Sequence, residues 1–354
     1  MPSFAVATPQ RTYPAVVERG VLERAFEFVP PRAGTLFVLT TEDVWRLHGA
    51  RLRLGRRAEV LFFAGGEERK RLATVEALAE EMVARGGDRS SLLVAFGGGI
   101  VGDVGGFLAA VFMRGVPVIQ IPTTLLAQVD AGVGGKTGVN LVAGKNLVGA
   151  FHQPLAALID PAVLDTLPER EYRAGLFEVL KCGIIRSPAL FDLLVEHRDK
   201  VLARAAETVE EMIAESVRIK AEVVSADERE SDLRRILNFG HTIGHALEAE
   251  TGYARFLHGE AVGFGMRAAA FLAERTGCLP AAEAARIRDA IAAYGPGPSL
   301  EGVSAEALAV RLRRDKKTVQ GRVHFVLPER VGQVRVVTGI DDTVVRAALE
   351  DALR

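Results

Sequence analysis

The chain has 354 residues, 49% of them apolar and 25% charged, with a formal net charge of −1. That length accommodates two domains, and the near-neutral balance excludes the electrostatic footprint of a nucleic-acid or membrane-surface binder. Two cysteines, Cys182 and Cys278, give no disulfide framework, and the opening residues lack the charged and apolar regions of a secretory signal, so a reducing cytoplasmic location is expected.

Phe4-Ala5-Val6-Ala7 alternates large and small side chains and, with Tyr13–Val17, predicts a small hairpin. Leu36–Thr40 reads as a buried strand, followed by a helix from Val44 to Leu54. Val60–Phe63 is the next strand; it ends in Gly65-Gly66-Glu67-Glu68-Arg69-Lys70 and leads to a helix reaching Arg85. Ser91–Phe96 is a third strand, running into Gly97-Gly98-Gly99-Ile100-Val101-Gly102-Asp103. Val116–Pro122 and Ala156–Asp160 complete the series. Strands alternating with helices imply a Rossmann-like, mostly parallel sheet with ligands at the carboxyl ends of its strands.

From Pro168 the periodicity turns helical. Helices are expected over Glu169–Cys182, Pro188–Ala205, Glu207–Asp227, Gly240–Glu250 and Glu260–Thr276, with no strand before Val323–Leu327. The division predicted is an α/β domain over 1–166 and a mainly helical domain over 167–354.

The chemistry-bearing residues cluster. Arginine outnumbers lysine 36 to 8, and Lys70, Lys136 and Lys145 lie in or beside Gly-rich stretches. Such clustering points to a phosphate- or carboxylate-bearing ligand. In Asn238-Phe239-Gly240-His241-Thr242-Ile243-Gly244-His245 two histidines share one helical face. His258 follows, and Glu178 stands upstream among apolar residues. Two imidazoles and a carboxylate suit a catalytic zinc that keeps a position open, but spacing leaves open which three ligate. The Gly97–Asp103 turn offers amides to an anion at a helix N-terminus, and Gly66-Glu67-Glu68-Arg69-Lys70 could add a carboxylate for a ribose hydroxyl. The run from Ile121 through Asn140 to Gly144-Lys145-Asn146 reads as a loop folding over phosphate groups; its glycine spacing is not that of a P-loop.

Taken together, Gly97–Asp103, Ile121–Asp130, Val133–Thr137, Gly144–Phe151, Ile236–His245 and His258–Val262 resemble the 3-dehydroquinate synthases. These are NAD- and metal-dependent sugar-phosphate cyclases of the shikimate pathway. The resemblance runs from about Gly65 to Lys317, most of the chain. It implies zinc or cobalt held by Glu178, His241 and His258, with His245 spared for the substrate pocket as a proton relay. NAD would meet Glu67, Lys70, Gly98, Gly99, Asp103, Thr123 and Thr124. Lys136, Lys145, Leu164, Thr166, Leu167 and Glu171 would complete the cofactor site. Substrate contacts would come from Asp130, Lys136, Lys145, Asn146, Lys181 and Lys220. Arg234, Asn238, His245 and either Lys316 or Lys317 would join them. Lys136 and Asn146 would hold the leaving phosphate, with Asp130 and Lys181 also in the catalytic set. Arg114 would reach a neighbouring subunit's substrate, implying a homodimer.

The implied reaction converts 3-deoxy-D-arabino-heptulosonate 7-phosphate to 3-dehydroquinate and phosphate. It proceeds by oxidation at C5, phosphate elimination, re-reduction, ring opening and aldol closure. A related cyclase whose substrate lacks the carboxylate, a metal-dependent polyol dehydrogenase and a helical binding module are the competing readings. Neither nucleic acid nor membrane is an expected partner.

Overall fold

The computed structural model describes residues 2–314 and 323–354, so Lys316 and Lys317 lie outside the described residues. The alternating start forms an antiparallel pair, β1 (Ser3–Ala7) and β2 (Thr12–Val17). β3 (Leu36–Thr40) leads into α1 (Glu42–His48), β4 (Ala58–Phe62) into α2 (Leu72–Ala84), and β5 (Leu92–Gly97) into α3 (Gly99–Val111). β6 (Val118–Pro122), β7 (Lys136–Leu141), β8 (Gly144–Phe151) and β9 (Ala156–Ile159) follow. The seven-stranded sheet has the order β1-β2-β9-β6-β5-β3-β4 and is parallel apart from β1–β2.

β5 lies between β3 and β6, with Val94 in register with Val38 and Ile119, and all its residues are buried. A strand covered on both faces reads as an unbroken apolar run. Val75, Leu78 and Met82 of α2 and Val104 and Leu108 of α3 pack with Phe37, Leu39, Leu93 and Ala95. Each fully buried aliphatic side chain contributes about 1.5–3 kcal/mol. Of the stretch expected as a phosphate loop, the part from Lys136 onward forms the hairpin β7–β8, with Gly138 opposite Gly149. Thr137–Asn140 of β7 are buried in an unbroken run and β8 is half-exposed throughout, so neither strand shows the alternation by which a strand is recognised.

The rest is mainly helical: α4 (Glu169–Arg186), α5 (Pro188–Glu196), α6 (Arg198–Leu202) and α7 (Ala206–Ala226). α8 (His241–Glu250), α9 (His258–Arg275), α10 (Ala281–Ala293) and α11 (Ala305–Arg314) follow, then the hairpin β10 (His324–Arg330) and β11 (Gln333–Thr338), and α12 (Asp342–Leu353). The single helix expected over 188–205 is two, divided at His197, whose backbone (φ −111°, ψ 26°) leaves the helical region. Among the described residues no helix is long and apolar enough to cross a membrane.

The chain forms two compact units, one running through Pro168 and including Ala206–Arg229, the other Glu169–Ala205 with Glu230–Arg354. One cut at residue 166 does not describe this division, because α7 returns to the first unit. There Ala7 donates its N–H to Ser225 Oγ (2.9 Å), and Arg19 Nε pairs with Glu210 (3.1 Å).

In the second unit, two glycines of α9 set how closely the helices approach. A Cβ on Gly259 would lie 1.8 Å from the Ala174 carbonyl oxygen on α4. One on Gly265 would lie 1.9 Å from the Gly240 carbonyl oxygen at the start of α8. Backbone contact on both sides brings His241 and His258, the first residues of α8 and α9, to Glu178 of α4.

Candidate active site

Glu178 is fully buried. His241 Nε2 lies 3.6 Å and His258 Nε2 3.7 Å from its Oε1. The three side chains form a donor set whose ligand atoms all lie within 4.8 Å of one another. Each imidazole is also anchored at its other nitrogen: His241 Nδ1 lies 3.1 Å from the Phe239 carbonyl oxygen, and His258 Nδ1 3.4 Å from Glu248 Oε2. Those anchors turn both Nε2 atoms toward Glu178, the usual outer-shell arrangement of metal-binding histidines.

A metal fits this set. Oε1 of Glu178 has no hydrogen-bond partner among the described residues. The Lys181 ammonium lies against Oε2 as an ion pair and leaves Oε1 facing the two imidazoles. Burying a carboxylate oxygen in this way is costly unless a cation meets it. Two imidazoles and one carboxylate match a catalytic zinc site with a position left open. His245, with its ring centroid 5.5 Å from that of His241 and 5.7 Å from that of His258, stands beside the set. It also belongs to a second donor group with Glu248 and His258. In the same unit Arg234 is buried, and the Asn238 amide donates to Glu230.

The first unit carries a polar cluster of its own where its strands end. Lys70, only 3% exposed, reaches Asp103 Oδ2 and Asn146 Oδ1, both at 2.5 Å. Burial pushes the Asp103 carboxyl above the ordinary carboxylate range, against the pull of Lys70. Gly98 and Gly99 open α3 beside it, and a Cβ on Gly98 would meet Thr124 at 3.1 Å. Thr123 donates its N–H to the Gly97 carbonyl (2.9 Å), and Thr124 Oγ1 accepts from the Ala127 N–H (3.2 Å). Asp130, in the irregular turn Ala127–Ala131, is paired with Lys220 of α7. Lys136 begins β7, while Lys145 and Asn146 begin β8.

Leu164 and Thr166 belong to the short helix Pro161–Thr166, whose end is closed by Leu167 donating to the Leu164 carbonyl. Thr166 Oγ1 donates to the Val163 carbonyl (3.1 Å) and so accepts from His48 Nε2 (2.9 Å). Glu171 is the one expected cofactor residue that belongs to the second unit. It lies on α4, where burial and Glu260 raise its pKa. Arg114 is exposed, with a left-handed backbone (φ 69°). Sequence reasoning missed Glu248, although it follows His241 by seven residues and His245 by three on the same face of α8. It also missed His48 and Asn140, ordinary in the sequence but bonded to expected cofactor residues.

Models of the 3-dehydroquinate synthase N-terminal and C-terminal regions match residues 60–174 and 175–318. A 3-dehydroquinate synthase of Solibacter usitatus (strain Ellin6076) is 64% identical over 356 residues, covering 100% of both chains. The chain belongs to the 3-dehydroquinate synthase family. The fold of this 3-dehydroquinate synthase family member is also that of two solved cyclases. A 2-epi-5-epi-valiolone synthase from Streptomyces hygroscopicus subsp. jinggangensis, with NAD+ and Zn2+ bound, is 30% identical over 98% of each chain (TM-score 0.87). A 2-deoxy-scyllo-inosose synthase complexed with carbaglucose-6-phosphate, NAD+ and Co2+ is 26% identical over 99% of each (TM-score 0.85).

Proposed function

We propose that the chain converts 3-deoxy-D-arabino-heptulosonate 7-phosphate to 3-dehydroquinate and phosphate. This is a carbon–oxygen lyase reaction using NAD and zinc or cobalt. The observation that carries this reading is the convergence of Glu178, His241 and His258 in a chain of this family. When bound, the metal supplies Lewis acidity at the C5 hydroxyl and NAD a reversible hydride acceptor.

The chain's own residues do the rest. Glu178, His241 and His258 hold the metal, and His245 exchanges the proton at the C5 oxygen. Lys136 and Asn146 hold the phosphate as it leaves, and Lys145 adds a further substrate contact. Arg234 grips the C1 carboxylate with its planar fork, and Lys220, oriented by Asp130, adds a second cation. Asn238 meets a substrate hydroxyl, and Lys181 steadies Glu178. Glu67, Lys70, Asp103, the glycines that open α3, Thr123 and Thr124 hold NAD, with Leu164, Thr166 and Leu167 at its adenosine end. The exposed Arg114 is available to a second copy, and a cytoplasmic homodimer completes the reading.

Purified protein incubated with the heptulosonate phosphate, NAD and zinc should release inorganic phosphate and form 3-dehydroquinate. Accumulation of NADH without phosphate release would replace this reading with that of a polyol dehydrogenase.

A further inference from the structure

Asn140 spends its hydrogen-bonding groups between two loops. Its Nδ2 donates to Glu67 Oε1 (2.7 Å) and to the Glu67 carbonyl (3.2 Å), and its Oδ1 accepts the Asn146 N–H (2.8 Å). The β7–β8 register shifts between Val139 and Leu141, which frees the Asn140 N–H from the ladder. That N–H donates instead to the Lys70 carbonyl (2.7 Å). The side chain is only 6% exposed, so water cannot replace these partners cheaply. Asn146, on the other end of the network, holds a left-handed backbone (φ 52°) and receives Lys70 Nζ on its own amide oxygen. One buried amide therefore ties the turn that bears Glu67 and Lys70 to the hairpin strand that bears Lys145 and Asn146.

We infer that Asn140 is a positioning residue that keeps the cofactor turn and the phosphate-holding hairpin in register. The inference rests on the functional reading above, in which Glu67 and Lys70 meet NAD and Asn146 meets phosphate. Asn140 touches neither ligand. It acts by fixing the backbone of Asn146 and the carboxylate of Glu67, so its loss weakens both sites together.

The test uses the full chain loaded with zinc, with calorimetric titration of NAD and, separately, of inorganic phosphate. Asn140→Ala should weaken each by tenfold or more while leaving zinc content unchanged. Asn140→Asp keeps the shape and the acceptor but loses both donors and sets a carboxylate against Glu67, and should match the alanine variant. Pairing Asn140→Asp with Glu67→Gln reverses donor and acceptor, and should recover phosphate affinity at least threefold over Asn140→Asp alone. A residue needed only for stability would lower the melting temperature of the variants while leaving the affinities of their folded, zinc-loaded fraction unchanged. Single variants within twofold of wild type, or a pair no better than Asn140→Asp, would overturn the inference. Wild-type protein that fails to bind NAD would overturn the functional reading instead.

Discussion

The His258 imidazole is held at Nδ1 by the Glu248 carboxylate, 3.4 Å away, leaving Nε2 aimed at Glu178. Glu248 is nearly as buried as the ligand carboxylate itself, at 2% exposure. A buried acid so placed raises the basicity of the imidazole and fixes its tautomer. Glu248→Gln should weaken zinc affinity about 10–100-fold, the usual effect of an outer-shell loss. Chelator competition followed by elemental analysis measures it.

The two nearby histidines should separate cleanly. His258→Ala removes a ligand and should abolish tight zinc binding. His245→Ala should keep the metal while slowing turnover. Equal zinc content in wild type and His258→Ala would reverse the assignment of these two rings.

Gly259→Ala sets two effects against each other. Alanine gains about 0.5–1 kcal/mol over glycine within a helix. Its Cβ, however, would sit 1.8 Å from the Ala174 carbonyl oxygen, which cannot swing aside as a side chain would. Overpacking of this kind costs about 1–3 kcal/mol, so the clash wins. The variant should melt at lower temperature in thermal unfolding and retain less zinc, because α9 must retreat from α4.

Acid should destabilise the fold through His48 and His152. Burial lowers both imidazole pKa values below the ordinary 6.5, and Arg51 and Arg11 respectively add to the effect. The unfolded chain then binds protons that the fold refuses, so stability rises with pH in this window. It should be intact above about pH 6.5 and fall as pH drops from there through the depressed folded values. Melting temperatures between neutral and mildly acidic pH should show a shallower slope for His48→Gln than for wild type.

The proposed chemistry returns to C5 the hydride taken from C5. Sub-stoichiometric NAD should therefore support many turnovers, with phosphate released continuously and no net rise at the nicotinamide absorbance. Deuterium at C5 of the substrate should be retained in the carbocycle. Label appearing in the free cofactor pool would contradict a closed hydride cycle.

Much of the first unit was legible because burial writes itself into composition. β5 is apolar throughout since both its faces are covered, and Gly97–Gly99 mark where α3 must start close to the strand. The β7–β8 hairpin was not legible, because β7 is buried in an unbroken run and β8 half-exposed throughout, so neither alternates. At the metal set, spacing favours His241 with His245, one turn apart on α8. Yet the structure groups His241 with His258, seventeen positions on, because the glycines of α9 let that helix start beside α8. Contacts of that range follow from packing and leave no local pattern. Only the family resemblance, which records such packing indirectly, pointed to the pair.

The return of α7 has a consequence for synthesis on the ribosome. When residue 168 has emerged, the seven strands of the sheet are all present, but the helix whose Ser225 accepts from Ala7 is still to come. Lys220, the partner of Asp130, is missing with it. The first unit therefore closes only after the thirty-seven-residue excursion of Glu169–Ala205 has been made and α7 completed. Until then β1 and β2 wait with one flank bare, an interval in which a nascent chain is exposed to misassociation. A gene cut after residue 168 would encode every strand of the sheet without the helix that returns to cover its edge.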